Sequence, residues 1–165
     1  MATIGTLAIT TLLKTGNEYN VERLLKQITS FMSDLSDEFK VVVVESVKLL
    51  CGKFPDKYPV MLQFLSDALK DEGSAELKRS IVETIISVVN TLPAARDLAL
   101  TTLAEFIEDC EYNVLVQRVL FLIAEHGPSC QAPHKYIRYV NNRIALEQAP
   151  VRATAVATLA KLAAR

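Results

Sequence analysis

The chain has 165 residues, of which 50% are hydrophobic and 22% are charged, and its formal net charge is −1. That length and composition are typical of one globular domain with a buried core, whereas only five Gly, no Trp and six scattered Pro disfavour a turn-rich sandwich or barrel. The nearly balanced charge removes the usual electrostatic case for binding nucleic acid or an anionic membrane surface.

The cysteines and the first residues predict a cytosolic chain without a secretion signal. Cys51, Cys110 and Cys130 are odd in number and far apart, and none belongs to a Cys-x-x-Cys motif, so a reducing compartment is favoured over a disulfide framework. Residues 1–13 lack a basic stretch followed by an unbroken apolar core. The apolar run Val41–Val44 is far too short to span a bilayer.

Three blocks of seventeen residues, 39–55, 77–93 and 112–128, align without gaps. Apolar residues recur in each block at steps of 4, 4 and 3, which keeps them on one helix face. Each block ends at a proline, which cannot continue a helix in register. Partial copies lie 38 residues before the first block and 39 after the third. The aligned residues are Phe39, Val43, Val47 and Leu50; Leu77, Ile81, Ile85 and Val88; Tyr112, Val116, Leu120 and Ile123; and, in the partial copies, Gly5, Ile9, Leu12 and Leu13, and Val151, Ala155, Leu159 and Leu162.

A second set of amphipathic segments lies between the copies and predicts the other helix of each pair. Ser36 and Ser74 stand where helix N-caps are expected, with acidic residues behind them. Pro93 and Pro150 are expected to serve as first-turn prolines. The apolar faces of these segments comprise Val21, Leu24, Leu25, Ile28 and Phe31 or Met32; Met61, Leu62, Phe64, Leu65 and Leu69; Leu98, Leu100, Leu103 and Phe106 or Ile107; and Tyr136, Ile137, Val140, Ile144 and Leu146.

A period of 35 to 39 residues with two helices per unit predicts an all-α fold. We expect an α-solenoid of HEAT or armadillo-like antiparallel helix pairs, stacked as a right-handed superhelix; a closed helical bundle is the alternative, but it has no regular period. We expect residues 1–165 to form a single segment of four to five helix pairs. Its inner helices are predicted near 3–14, 37–53, 75–91, 112–126 and 150–164. Both ends carry internal-repeat character, so we expect a segment of a longer solenoid, to which Met1 need not belong.

Nothing in the sequence predicts an enzyme, a cofactor or a small-molecule substrate. The five glycines are isolated and form neither a phosphate-binding loop nor a dinucleotide fingerprint. His126, Cys130 and His134 are spaced by four, but a metal centre would need a further ligand that is not nearby. We therefore interpret them as two surface histidines and an incidental thiol.

Two charged groups are the candidate partner-facing patches. The acidic group surrounds Cys110 at the end of a predicted helix, where the helix dipole disfavours anions, and this mismatch hints at a partner. The basic group would suit an acidic partner or a lipid headgroup. For both groups, ordinary solvated helix faces are the simpler explanation. The acidic group is Glu105, Glu108, Asp109 and Glu111, and the basic group is Lys135, Arg138 and Arg143 with Arg152.

Five strings in the chain carry a family resemblance, in matching order and spacing over nearly its whole length. They are Thr6–Gly16, Ser36–Val44, Glu105–Glu111, Lys135–Arg138 and Val151–Ala153. These strings are very similar to those of the gamma-COP family, the coatomer gamma subunits, and are specific enough to prefer that family to the related adaptins of the clathrin adaptors.

The resemblance implies a segment of the adaptin-like N-terminal trunk of a COPI coat subunit. Such a protein is cytoplasmic and peripheral on Golgi membranes and COPI vesicles, and it acts in Golgi-to-ER and intra-Golgi transport. The implied partners are the zeta, beta and delta subunits of coatomer and an Arf-family GTPase, with no Arf-contacting residue assigned here. The alternative is a generic HEAT scaffold or a clathrin-adaptor-type large subunit. An importin-like groove would need Trp or Asn along the inner helices, and Trp is absent.

Overall fold

The computed structural model describes residues 2–145 and 147–164, with side chains from Leu7 onward, so the predicted roles of Met1, Gly5 and Leu146 lie outside what it describes. Nine α-helices, joined in part by short 3-10 turns, account for most of these residues, and no strand occurs among them. The all-α prediction is therefore confirmed. The helices are α1 (Ala2–Thr15), α2 (Val21–Met32), α3 (Asp37–Lys53), α4 (Tyr58–Lys70), α5 (Ala75–Thr91), α6 (Arg96–Asp109), α7 (Asn113–His126), α8 (His134–Ile144) and α9 (Ala149–Ala163).

The chain divides into two compact units at Val88 and Val89. In the first unit, α1 packs on α3 and α2 packs on α4, while α1 with α2 and α3 with α4 form the consecutive pairs. Each helix therefore contacts both its partner in the pair and the equivalent helix of the next pair. This is the stacking of an α-solenoid, in which every repeat is stabilised by its neighbours.

The second unit has the same arrangement. Helix α6 packs on α8 and α7 packs on α9, while α6 contacts α7 and α8 contacts α9. Thr158 on α9 reinforces this stacking, because its hydroxyl donates a hydrogen bond to the backbone carbonyl of Leu120 on α7 at 3.1 Å. The two units thus confirm the predicted solenoid class independently of each other.

The aligned repeat positions form the interior of each unit. The fifth, ninth and twelfth positions of all three blocks are buried, namely Val43, Val47, Leu50, Ile81, Ile85, Val88, Val116, Leu120 and Ile123. The first position is less uniform, because Leu77 is buried but Tyr112 precedes the first residue of α7 and is exposed. The 4, 4, 3 spacing therefore identifies the core at the fifth, ninth and twelfth positions of the three full blocks.

Three residues assigned to apolar faces are exposed instead, which corrects the sequence prediction. Leu12, Leu98 and Ile137 all point toward solvent, and in α1 the next residue, Leu13, is buried. Of the alternatives left open in α2 and α6, Met32 and Ile107 are buried, whereas Phe31 is exposed and Phe106 is half-buried. Adjacent helical residues are about 100° apart, so only one of them can face the neighbouring helix.

The predicted helix starts are only partly confirmed. The Ser74 hydroxyl accepts a hydrogen bond from the Leu77 N–H at 3.2 Å and so caps α5. Ser36 precedes α3, but its side chain makes no capping hydrogen bond. Pro150 lies in the first turn of α9, whereas Pro93 begins a separate 3-10 turn before α6.

Candidate functional site

The predicted acidic group lies at the C-terminal end of α6 and in the connection to α7. Glu105, Asp109 and Glu111 are exposed, whereas Glu108 is half-buried. The side-chain amide of Asn142 on α8 donates a hydrogen bond to the Glu108 carboxylate at 3.0 Å. Three carboxylates are therefore at the surface, while the fourth takes part in packing α8 against α6.

Arg143 does not belong to an exposed basic patch, contrary to the sequence interpretation. Its side chain is buried, with the residue only 9% exposed. The guanidinium donates hydrogen bonds to the backbone carbonyls of Glu108 at 3.1 Å and Cys110 at 2.6 Å. A cation at these carbonyls compensates the negative end of the α6 dipole. The negative end of the α6 dipole is thus compensated inside the protein, so the dipole gives no separate reason to expect a partner at this helix end.

Arg143 also forms an ion pair with Glu147, which is itself buried. The backbone carbonyl of Glu147 accepts a hydrogen bond from the Arg152 guanidinium at 3.0 Å. The connection between α8 and α9 is therefore attached to the end of α6 through one side chain. A buried ion pair of this kind contributes little net stability, but removing one partner leaves an uncompensated charge and is costly.

The exposed part of the basic group consists of Arg138 and Arg152, with Lys135 half-buried beside them. On α8, the Lys135 ammonium lies 5.1 Å from the centre of the Tyr136 ring, and the Arg138 guanidinium lies 5.4 Å from that of Tyr139. Cation–π contacts at such distances hold long side chains in place without removing their charge. Lys135 and Arg138 therefore form a small positive surface on α8.

A polar cluster at the start of α6 and α8 was missed by sequence reasoning. The hydroxyls of Thr101 and buried Tyr136 lie 3.5 Å apart, and burial raises the pKa of the Tyr136 phenol. Burial, followed by a hydrogen bond with Asp97, raises the pKa of the Cys130 thiol to about 11. A nucleophilic cysteine needs the opposite shift, because the thiolate is the reactive form. The raised pKa of Cys130 therefore gives no support for covalent chemistry at this cluster.

The two histidines take part in no metal-binding arrangement among the described residues. His126 Nε2 lies 3.1 Å from the side-chain oxygen of Asn90, and the Cys130 thiol donates to the backbone carbonyl of His126. His134 is exposed at the start of α8. Residues 2–145 and 147–164 contain no group of three or more His, Cys, Asp or Glu side chains placed to hold a metal ion.

Sequence reasoning also missed two exposed apolar side chains on α7. Val114 is 70% exposed and Phe121 is 64% exposed, although the rest of this helix is mostly buried. Both lie outside the aligned repeat positions. This is the sequence feature that could have indicated their exposure. In the part of the chain that the structure describes, no helix has both the length and the apolar character needed to cross a membrane.

Comparisons with known proteins agree with this architecture. The family described as "Adaptin N terminal region" matches residues 2–165. Coatomer subunit gamma-1 of Oryza sativa subsp. japonica is 55% identical over 161 residues, covering 98% of this chain and 18% of the relative. Coatomer subunit gamma-2 of Homo sapiens is 54% identical over 162 residues, covering 98% of this chain and 19% of the relative. The chain thus spans less than a fifth of the length of these relatives. Because the family match covers nearly the whole chain, the chain belongs to the family of adaptin N-terminal regions.

Proposed function

We propose that this chain is a structural segment of the trunk of a coatomer gamma subunit, acting in the COPI coat as a protein–protein interaction scaffold. The observation that carries the proposal is the 54–55% identity to coatomer gamma subunits of rice and human over 98% of the chain. The alternating helix stacking in both units supports it, because a solenoid presents long helix faces to partners while its core stays closed.

The proposed mechanism is mechanical and involves no catalysis. Each helix pair buries its apolar face against its neighbours, so a stack can bend by small rotations between repeats without opening a core. The raised pKa of the Cys130 thiol argues against a nucleophilic role for this residue. Binding of nucleic acid or of a small-molecule substrate is not part of this proposal.

The proposed setting is the cytoplasmic side of the Golgi, with the protein held peripherally on membranes and vesicles through the coat. Its partners would be the zeta, beta and delta subunits and, through the full-length protein, an Arf-family GTPase. The exposed carboxylates of Glu105, Asp109 and Glu111, and the cations of Lys135 and Arg138, are the surfaces we propose for contacts with coat partners. Arg143 is excluded from them because it is buried.

A segment exchange tests this function. The chain would replace the matching 162 residues of human coatomer subunit gamma-2, and the chimera would be expressed with an affinity tag in human cells. We expect the chimera to co-purify with the other coatomer subunits and to localise to the Golgi. A control chimera would carry an unrelated HEAT segment of the same length. A folded, soluble chimera that is excluded from coatomer as completely as this control would refute the proposal.

A further inference from the structure

Helices α2 and α8 occupy comparable places in the two units, but different kinds of contact hold them there. Each packs on one helix of the adjacent pair, α2 on α4 and α8 on α6. Their lengths are almost equal, 12 residues for α2 and 11 for α8. The comparison therefore isolates the side chains through which each helix contacts its neighbour.

Helix α2 turns a single apolar stripe toward its unit. Its buried residues are Val21, Leu25, Ile28 and Met32. The Lys26 ammonium donates a hydrogen bond to the Glu22 carboxylate of the same helix. The Thr29 and Ser30 hydroxyls donate to backbone carbonyls of the preceding turn of α2. In the part of the chain that the structure describes, no polar side chain connects α2 with α4.

The facing helix α4 is also apolar where it is buried. Its buried residues are Met61, Leu62, Phe64, Leu65, Ala68 and Leu69. The Gln63 amide donates to the Asp67 carboxylate within α4 at 2.8 Å. Met32 and Met61 are both buried, and the flexible thioether chain of methionine adapts to irregular gaps. The contact between α2 and α4 therefore consists of apolar burial, which has no preferred direction.

Helix α8, by contrast, is held to α6 by directional bonds along its length. Near its start, the Tyr136 and Thr101 hydroxyls lie 3.5 Å apart. Near its end, the Asn142 amide donates to the Glu108 carboxylate at 3.0 Å, and the Arg143 guanidinium donates to the Glu108 carbonyl at 3.1 Å. Tyr136 and Arg143 are two of the three buried residues of α8. The burial of α8 is therefore tied to polar links with α6.

Apolar contacts and hydrogen bonds respond differently when one helix slides along another. Packed helices slide by about 1–2 Å in shear motions. A 3.0 Å hydrogen bond such as that from Asn142 to Glu108 is lost when it is stretched by about 1 Å. Apolar burial is proportional to the area removed from water, which changes little over the same distance. Sliding therefore costs α8 its bonds to α6, whereas α2 keeps its contact with α4.

We propose that the contact between α2 and α4 is a shear joint, along which α2 slides by about 1–2 Å, while α8 is locked on α6. This inference rests on the proposed scaffold function for its meaning, because it names the place where the stack bends. The first unit takes up the bend between α2 and α4, and the second unit keeps its geometry between α6 and α8.

The test measures the width of two distance distributions in the 165-residue chain by double electron–electron resonance. One sample carries nitroxide labels at Q27C and Q63C on α2 and α4, and the other at E105C and N141C on α6 and α8. All four are exposed helical positions, so the labels themselves contribute similar widths. The substitution C130S prevents labelling of the half-buried thiol, while Cys51 and Cys110 are buried.

We expect the distribution between α2 and α4 to be wider by about 1–2 Å than that between α6 and α8. Equal widths, or a wider distribution between α6 and α8, would overturn the proposal. This comparison uses only the labelled chains without further substitutions, so it holds even if the variants of α8 fail to fold.

Removing bonds from the locked contact provides the second measurement. The double variant Y136F/N142A loses two links to α6 but keeps Arg143, and it should widen the distribution between α6 and α8. The matched control T29A/S30A also removes two side-chain hydrogen bonds, both inside α2, and should change neither distribution. Circular dichroism would show that each variant is folded. A folded Y136F/N142A with an unchanged width would contradict the lock. Such a failure alongside a working coatomer chimera would refute the joint alone.

Discussion

Helices α4 and α6 both end in carbonyl groups that accept hydrogen bonds from a buried cation, but the two units provide that cation differently. In the first unit, the Lys78 ammonium donates to the Leu69 carbonyl at 2.5 Å and to that of Asp71. In the second, the Arg143 guanidinium donates to the carbonyls of Glu108 and Cys110. Lys78 lies nine residues after Leu69, whereas Arg143 lies 35 residues after Glu108.

Because of this difference in sequence distance, the two cations connect different parts of the fold. Lys78 belongs to the helix that directly follows α4, so its hydrogen bonds close a local turn. Arg143 belongs to α8, so its hydrogen bonds fasten one helix pair to the next. The planar guanidinium can serve two carbonyls and the Glu147 carboxylate together, which a single ammonium does less well. We therefore expect the second unit to depend more on one side chain than the first.

The largest expected effect is that of R143M. Methionine retains much of the side-chain volume but leaves Glu147 buried without its counter-charge and two carbonyls without donors. We expect the free energy of unfolding to fall by about 3–5 kcal/mol, as measured by urea denaturation. The exposed residue Arg138 provides the control, and R138M should change stability by less than about 0.5 kcal/mol. Equal losses in the two variants would show that the hydrogen bonds of Arg143 to the end of α6 do not contribute specifically to stability.

The matching change in the first unit, K78M, should cost less. Two carbonyls at the end of α4 lose a donor, so we expect a loss of about 1–3 kcal/mol. The same urea titration measures it, with K48M on the exposed face of α3 as the control. If K78M lowered the free energy of unfolding by more than R143M does, the first unit would depend more on its buried cation than the second.

Replacing glycine by alanine compares how tightly the two units are packed around one glycine in each. Gly52 lies inside α3, and apart from its chain neighbours and the helix's own backbone no atom lies within 4 Å of an added Cβ, so G52A should stabilise the chain by about 0.5–1 kcal/mol. In the second unit, a Cβ on Gly127 would lie 3.0 Å from Leu162 Cδ2 and 3.4 Å from Ile123 Cγ2, so G127A should destabilise it. Thermal melting of both variants checks the opposite signs. A stabilising G127A would mean that Leu162 moves aside freely.

The smallest effect concerns acid stability in the first unit. The backbone N–H of Ser74 donates to the Asp37 carboxylate at 2.6 Å and, with the Ser74 hydroxyl, lowers the pKa of Asp37 below its ordinary value of 3.8. A carboxyl group whose pKa is lowered by folding contributes stability above its unfolded pKa and loses it as the pH falls through its folded pKa. D37N should therefore flatten the decline in melting temperature below pH 3.8. An unchanged decline would mean that other carboxyl groups cause it; D34N, on an exposed residue, is the control.

The repeat in the sequence was sufficient to predict the helices and most of the core. Steps of 4, 4 and 3 residues place Val43, Val47 and Leu50 on one side of a helix whatever surrounds it. The prolines predict where these helices stop, because the missing N–H and the fixed φ are local properties of the residue. Fold class followed from such local geometry, and the family resemblance followed from strings of neighbouring residues.

The candidate surfaces could not be predicted in the same way. Arg143 reads as a surface cation in its own helix, and its burial depends on carbonyl groups more than thirty residues away. Val114 and Phe121 read as ordinary apolar residues of a buried helix, and only the packing of α7 among its neighbours shows that their face is left open. The sequence by itself determined where the helices and their cores lie, because helical periodicity is local. The tertiary structure alone decided which charges are neutralised inside and which apolar groups remain outside, because both depend on neighbours that are distant in sequence.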